Sequence, residues 1–205
     1  TVIGDVHESG CLTRSGAKVG DIVVVTGDFG ASRAGLWVMQ ESGVGGLGGN
    51  TADGLSARNT VRGRHVHPLP RLCESWSMVR RTGSEGALMD ASDGLADALM
   101  QISRASKVGL KIDLSLVPVT PETKLVATMA GREYIDWALY GGEDYELVGC
   151  MPSQVWEKWL SEGDKDNPFT AIGTVTADFA QTVELHNNGQ PAAALDLSRC
   201  FQHVE

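Results

Sequence analysis

Three carboxylates and a hydroxyl crowd into the stretch Asp90-Ala91-Ser92-Asp93-Gly94-Leu95-Ala96-Asp97. Like charges at that density repel one another unless something cationic lies between them. Mg²⁺ fits: it takes oxygen ligands, keeps several waters and is commonly shared between one or two carboxylates and substrate phosphates. The flanking residues put this stretch where such chemistry is often found. Ala87-Leu88-Met89 reads as a short buried strand, and Leu95, Leu99 and Ile102 recur at i, i+4, i+7 as the apolar face of a helix. A strand end facing a helix N-terminus offers backbone N–H groups and partial positive charge to a phosphate. The same residues admit a purely local reading. Asp93 would cap the helix, Ser92 would hydrogen-bond within the turn, and Asp97 would sit on a solvated face.

A second cluster is Tyr140-Gly141-Gly142-Glu143-Asp144-Tyr145-Glu146-Leu147. Adjacent glycines permit close backbone approach or positive φ, and three acids flank a tyrosine at the mouth of an alternating strand. The stretch reads either as a ligand-facing loop or as a solvated strand edge. A third candidate, Gly27-Asp28-Phe29-Gly30, follows the apolar run Ile22–Thr26 and leads into a helix from about Ser32 to Glu41. It spells the metal-binding triplet of protein kinases. Neither a His-Arg-Asp catalytic loop nor a glycine-rich ATP loop accompanies it, so that match is rejected.

The elements that must carry these clusters alternate irregularly. Residues 42–67 hold seven glycines and end in Arg58, Arg62, Arg64, His65 and His67; they read as a flexible glycine-rich insert. Pro68-Leu69-Pro70 then primes a helix whose apolar face is Leu72, Trp76 and Val79, with Gly83 suited to its C-terminal cap. Leu110–Leu114 alternates as a half-buried strand, Thr120-Pro121-Glu122 opens a helix closed by Gly131, and Trp156, Trp159 and Leu160 stripe another. Asn187-Asn188-Gly189 marks a hairpin. Strands and helices without strict β-α-β order predict an α+β fold, a mixed sheet with helices packed on it.

The 205 residues suffice for one sizeable core, and a formal net charge of −9 argues against general nucleic-acid binding. An acidic chain that handles phosphates needs metal ions or local basic residues. Cys11, Cys73, Cys150 and Cys200 are scattered, without a C-x-x-C pair, and read as reduced thiols of a cytoplasmic protein. No apolar run is long enough for a membrane span. The opening Thr1-Val2-Ile3-Gly4 is strand-like and lacks an initiator Met, which reads as a cut through a longer protein.

Taken together, separated motifs resemble the C-terminal portion of thiamine-monophosphate kinases. These belong to the superfamily of aminoimidazole ribonucleotide synthetase and selenophosphate synthetase. The matching pieces are Thr1–Gly4, Arg14-Ser15-Gly16-Ala17-Lys18 with Gly20-Asp21, and Val25-Thr26-Gly27 running to Ala34-Gly35-Leu36. Pro68-x-Pro70-Arg71, Asp90-x-Ser92-Asp93-Gly94-Leu95 and Gly141-Gly142-Glu143-Asp144-Tyr145-Glu146-Leu147 complete them. The resemblance implies ATP-dependent phosphorylation of thiamine phosphate to thiamine diphosphate. It implies Asp90 and Asp93 as Mg²⁺ ligands, Arg14 and Ser92 as ATP contacts, and Glu143 as a contact to thiamine phosphate. Phe201 stands where the family has an aromatic residue that packs on the substrate. The family's Gly-aromatic-x-His-Phe ending here reads Cys200-Phe201-Gln202-His203-Val204.

Two departures follow from the same resemblance. Family members carry an aspartate-rich N-terminal half that supplies most metal ligands, nucleotide contacts and the homodimer interface, and its motifs are absent here. The expected organisation is therefore residues 1–30 as the end of that region and a linker, and 31–205 as the C-terminal domain. This piece alone would be inactive. Segment 42–67 also looks longer than the family's usual connection. Two alternatives remain: another ATP-using synthetase of the superfamily, or a non-catalytic binding or assembly domain.

Overall fold

A computed structural model describes residues 5–6, 8–41, 51–163, 167–192 and 194–200. Its centre is a mixed seven-stranded sheet of β1 (Ile22–Thr26), β2 (Ala87–Asp90), β3 (Gly109–Asp113), β4 (Leu147–Met151), β5 (Phe169–Thr176), β6 (Val183–Asn187) and β7 (Gln190–Pro191). The spatial order is β2-β4-β1-β5-β3-β6-β7. β3 and β6 run parallel, and the other neighbouring pairs are antiparallel. Among the described residues seven α-helices accompany the sheet: α1 (Ala31–Glu41), α2 (Ala52–Val66), α3 (Leu72–Thr82), α4 (Leu95–Ser106), α5 (Pro121–Met129), α6 (Tyr134–Tyr140) and α7 (Ser153–Ser161). The architecture is the expected α+β class.

β1 shows why the sheet is covered on both faces. Its side chains alternate, as any strand's must. Val23 and Val25 join Leu95, Leu99 and Ile102 of α4 in one core. Val24 points the other way, to Met78 of α3 and Trp159 of α7. All three valines are fully buried, so the strand reads as a continuous β-branched run. A separate apolar cluster joins α1, α2, α5 and α6 through Ala34, Val38, Ala57, Val61, Val126 and Trp137.

Several expectations need correction. β1 lies at the middle of the sheet, paired with β4 and β5, so residues 22–26 are core of this fold and not part of a linker. Within the expected flexible insert, residues 52–66 form the four-turn helix α2. Thr51 caps it, accepting from the Gly54 N–H at 3.2 Å. Its inward residues are Gly54, Ala57 and Val61, too small to register as an apolar stripe. Residues 42–50, like the opening Thr1–Gly4 and Phe201, lie outside the described residues.

On α3 the buried residues are Met78 and Thr82, while Leu72 and Trp76 are exposed. β4 is nearly buried throughout, without the expected alternation. The hairpin at Asn188-Gly189 is present, with positive φ at both residues and Asn187 opposite Gln190. Among the described residues no helix is long and apolar enough to cross a membrane.

Candidate active site

β2 and β4 pair in antiparallel register, with Asp90 opposite Leu147. The pairing continues past the strand ends. The Ala91 N–H donates to the Glu146 carbonyl at 2.8 Å, and the Glu143 N–H donates to the Ser92 carbonyl at 2.8 Å. The two acidic clusters, some fifty residues apart in the chain, are thus zipped together by backbone. Gly142 makes the approach possible: a Cβ there would sit 2.6 Å from the Ser92 carbonyl oxygen. Ser92 and Glu143 both line a cleft of about 570 Å³.

The three acids of the second cluster do different things. Burial alternates along this loop: Glu143 and Tyr145 are exposed, Asp144 is half-buried and Glu146 is buried. Glu143 is exposed at the cleft and accepts a hydrogen bond from the Tyr145 hydroxyl at 3.2 Å. The adjacent Glu143 carboxylate raises the Tyr145 pKa, so this phenol stays a donor. Both residues have positive φ, 71° and 54°. Such backbone in non-glycine residues costs energy and persists where the surroundings hold it.

Asp144 and Glu146 do that holding. Asp144 accepts from the Gly30 N–H at 2.7 Å and the Ser32 N–H at 2.8 Å, at the start of α1. Burial pushes its carboxyl up to about 7, against the pull of those two bonds, and Asp28 and Glu146 nearby raise it further. Glu146, only 2% exposed, takes a bidentate pair from Arg71 (Nε and Nη2, both 2.6 Å), the Thr26 hydroxyl at 2.7 Å and Arg64 Nη2 at 3.3 Å. Arg64 also binds Asp28 at 2.8 Å. Polar oxygens taken out of water need hydrogen-bond partners of this kind.

Around the first cluster, Gly94 takes the N-cap position of α4 with φ of 110°. That is one residue beyond Asp93, the position the local reading gave to the cap. Asp90 is exposed and Asp93 half-buried. Asp97 is half-buried, accepting from Gln101 Nε2 at 2.5 Å, and Gln101 in turn accepts from Arg14. Thr13 bridges Ala87, so Arg14 stands beside the start of β2, at the opposite end of that strand from Asp90. Arg14 does not line the cleft that Ser92 and Glu143 share.

Among the described residues no three His, Cys, Asp or Glu converge as a metal site. Asp90 and Asp93 offer hard oxygen donors at the mouth of the Ser92 turn. That donor set matches an ion that takes its other ligands from water and phosphate.

Sequence reading missed most of the cleft's remaining wall. Trp37 and Trp137 pack with centroids 6.2 Å apart. Arg33, Arg132 and Arg199 also line the cleft. The Arg199 guanidinium lies 4.2 Å over Tyr140 and 2.8 Å from Asp136, which fastens the C-terminal segment to α6. Burial pushes the Cys200 thiol up to about 11, so it is no thiolate nucleophile near neutral pH. The aromatic pair carried a faint signal, a tryptophan on each of two helices. The arginines carried none.

Comparison with known proteins agrees with this geometry. The chain is 37% identical over 175 residues to a thiamine-monophosphate kinase of Escherichia coli O157:H7, covering 82% of this chain and 48% of that one. It is 36% identical over 211 residues to that of Synechococcus elongatus, covering 99% of this chain and 58% of the relative. The chain spans about half the length of the curated relatives it matches. Among solved structures, the thiamine monophosphate kinase of Aquifex aeolicus superposes with a TM-score of 0.68 at 27% identity, over 88% of this chain and 54% of that one. AaThiL, solved in complex with AMPPCP and TMP, superposes equally well, with 88% and 52% covered. A hydrogenase maturation protein HypE solved with ATP, at 18% identity and a TM-score of 0.59 over 94% of this chain and 54% of that one, shares the fold. The profile described as "AIR synthase related protein, C-terminal domain" matches residues 18–186, and the chain belongs to that family.

Proposed function

We propose that this chain is the C-terminal part of a kinase that moves the γ-phosphoryl group of ATP onto thiamine phosphate, giving thiamine diphosphate. The observation that carries the reading is the hydrogen bond between Glu143 and Ser92. It sets the expected substrate contact against the expected nucleotide contact at one cleft. Similarity to thiamine-monophosphate kinases supports the choice of substrate.

Phosphoryl transfer asks a protein mainly for positioning and for charge neutralisation. Glu143 would meet thiamine phosphate, and Ser92 and Arg14 would meet ATP. Asp90 and Asp93 would hold Mg²⁺, which when bound offsets charge on the transferring phosphate. The nucleophile is a phosphate oxygen, already anionic near neutral pH, so no general base is required. The Trp37–Trp137 pair and the cleft arginines suit a ligand with an aromatic body and an anionic group. Phe201 keeps its proposed substrate contact on the resemblance alone. So do the homodimer of full-length members and the N-terminal domain that supplies the remaining metal and nucleotide ligands. A cytoplasmic setting is supported by four cysteines free of disulfides.

Calorimetry of the 205-residue chain against thiamine phosphate, ATP with Mg²⁺ and other phosphate acceptors tests the reading. Thiamine phosphate binding that Glu143→Gln weakens is the expected result. Preference for a different acceptor would favour another ATP-using member of the superfamily. Thiamine diphosphate formation by this chain alone should be little or none, and robust turnover would overturn the view that it is half of an active site.

A further inference from the structure

We propose that His65, on α2, is a further ligand-contacting residue of this cleft, and that its ring meets the aminopyrimidine end of thiamine phosphate. The proposal rests on the reading of the cleft as the thiamine phosphate site. His65 lines the cleft, and its Nδ1 lies 2.8 Å from the Ser32 hydroxyl. Ser32 is 1% exposed, and its own N–H is held by Asp144 at 2.8 Å. The ring is thus oriented through a fixed point that leads back to the loop carrying Glu143. With Nδ1 engaged, Nε2 is the nitrogen available to a ligand, as for histidines whose second nitrogen sets their orientation.

The helix that carries His65 is set tightly in place. Val61, Arg64 and His65 share one face at i, i+3 and i+4. Val61 is fully buried, and Arg64 binds Asp28 and Glu146. α1 and α2 touch at Gly35, where a Cβ would lie 2.3 Å from the Val61 carbonyl oxygen and 2.8 Å from the His65 Cβ. A side chain at residue 35 would therefore move His65 off the cleft.

The partner group follows from what surrounds it. A helix N-terminus attracts phosphate through its free N–H groups, but Gly30 and Ser32 already spend theirs on Asp144. The cleft beside α1 is instead lined by Trp37 and Trp137, which suits a flat heteroaromatic ring carrying a polar amino group.

Calorimetry on the wild-type chain, His65→Ala, His65→Gln, His65→Asn and Glu143→Gln, each with thiamine phosphate and with thiamine, tests this. Loss of one ligand hydrogen bond predicts about a five- to tenfold weaker affinity for His65→Ala. The same factor should appear for both ligands, because thiamine lacks only the phosphate. Gln extends its amide toward the Nε2 position and should recover most of the affinity. Asn reaches only the Nδ1 position and should not. Rescue by Asn but not Gln would mean that His65 serves only Ser32, and would overturn the assignment. A loss confined to thiamine phosphate would put the contact on the phosphate and overturn it as well. Absence of binding by the wild-type chain would instead overturn the reading of the cleft. Binding that His65→Ala leaves unchanged would overturn the His65 assignment alone.

Discussion

The Ser92 carbonyl oxygen accepts the Glu143 N–H at 2.8 Å, so the two motifs with the most evident chemistry form one backbone unit. The contact depends on the missing side chain of Gly142. Gly142→Ala should cost about 1–3 kcal/mol through the clash and the unpaired N–H. Urea unfolding measures the stability, and the Glu143 amide should lose its protection from hydrogen exchange. An unchanged exchange rate would show that the loop is held elsewhere.

Glu146 and Arg71 form a buried bidentate pair. Removing Arg71 leaves Glu146 only the longer Arg64 contact and the Thr26 hydroxyl, so Arg71→Met should destabilise the fold by about 2–3 kcal/mol, less than the loss of a sole partner. The double variant Arg71→Met with Glu146→Leu should recover part of that loss, since apolar replacement of a whole buried pair is often tolerated. A double-mutant cycle by urea denaturation measures the coupling, and simple additivity would contradict a direct pair.

The pH dependence of stability should run opposite to the usual carboxylate case. Burial raises Asp144 to about 7 and raises Asp28 as well, while both return to ordinary values near 4 in the unfolded chain. Between those values the folded state binds more protons than the unfolded one, so stability falls as pH rises through that window. Asp144→Asn should flatten the slope of melting temperature against pH. A slope unchanged by that substitution would assign the proton to another group.

Asp93 stands one residue before Gly94, the N-cap of α4. Asp93→Asn keeps the side chain's size and an acceptor oxygen, as good at a helix start as the carboxylate, and should leave the melting temperature within a degree or two of wild type. In a chain spanning the full length of the thiamine-monophosphate kinases, it should weaken Mg²⁺-dependent nucleotide binding. Equal losses of stability and binding would point to a structural role for this carboxylate.

On α3 the two readings of the apolar face separate cleanly. Met78 is fully buried and Leu72 is 65% exposed. Met78→Ala should cost about 2–5 kcal/mol, and Leu72→Ala about 0.5 kcal/mol or less. Thermal denaturation of the two variants decides between the observed face and the one that periodicity implied.

Local patterns were sufficient for much of this molecule. The β-branched run Ile22–Thr26, the i, i+4, i+7 spacing of Leu95, Leu99 and Ile102, and the Asn188-Gly189 turn each act over a few residues, and each forms the element it implies. The glycine pair before Glu143 likewise marked a close approach that exists. α2 escaped because its buried face is made of Gly54, Ala57 and Val61, residues whose contribution is to let another helix come near. Leu72 and Trp76 misled because apolar spacing says which residues share a face, and not whether that face meets the sheet.

Chain order placed three acids side by side, and only the tertiary structure separated their roles. Asp144 faces the α1 amides, Glu146 faces Arg71, and Glu143 is left to the cleft. Local spacing settles which way a side chain points relative to its neighbours. Whether a charge is exposed, paired or desolvated depends on partners such as Gly30, Arg64 and Arg71, which lie 75 to 114 residues away in the chain. Electrostatic character here is a property of the assembled fold, because the dielectric and the counter-charge that decide it arrive only with folding.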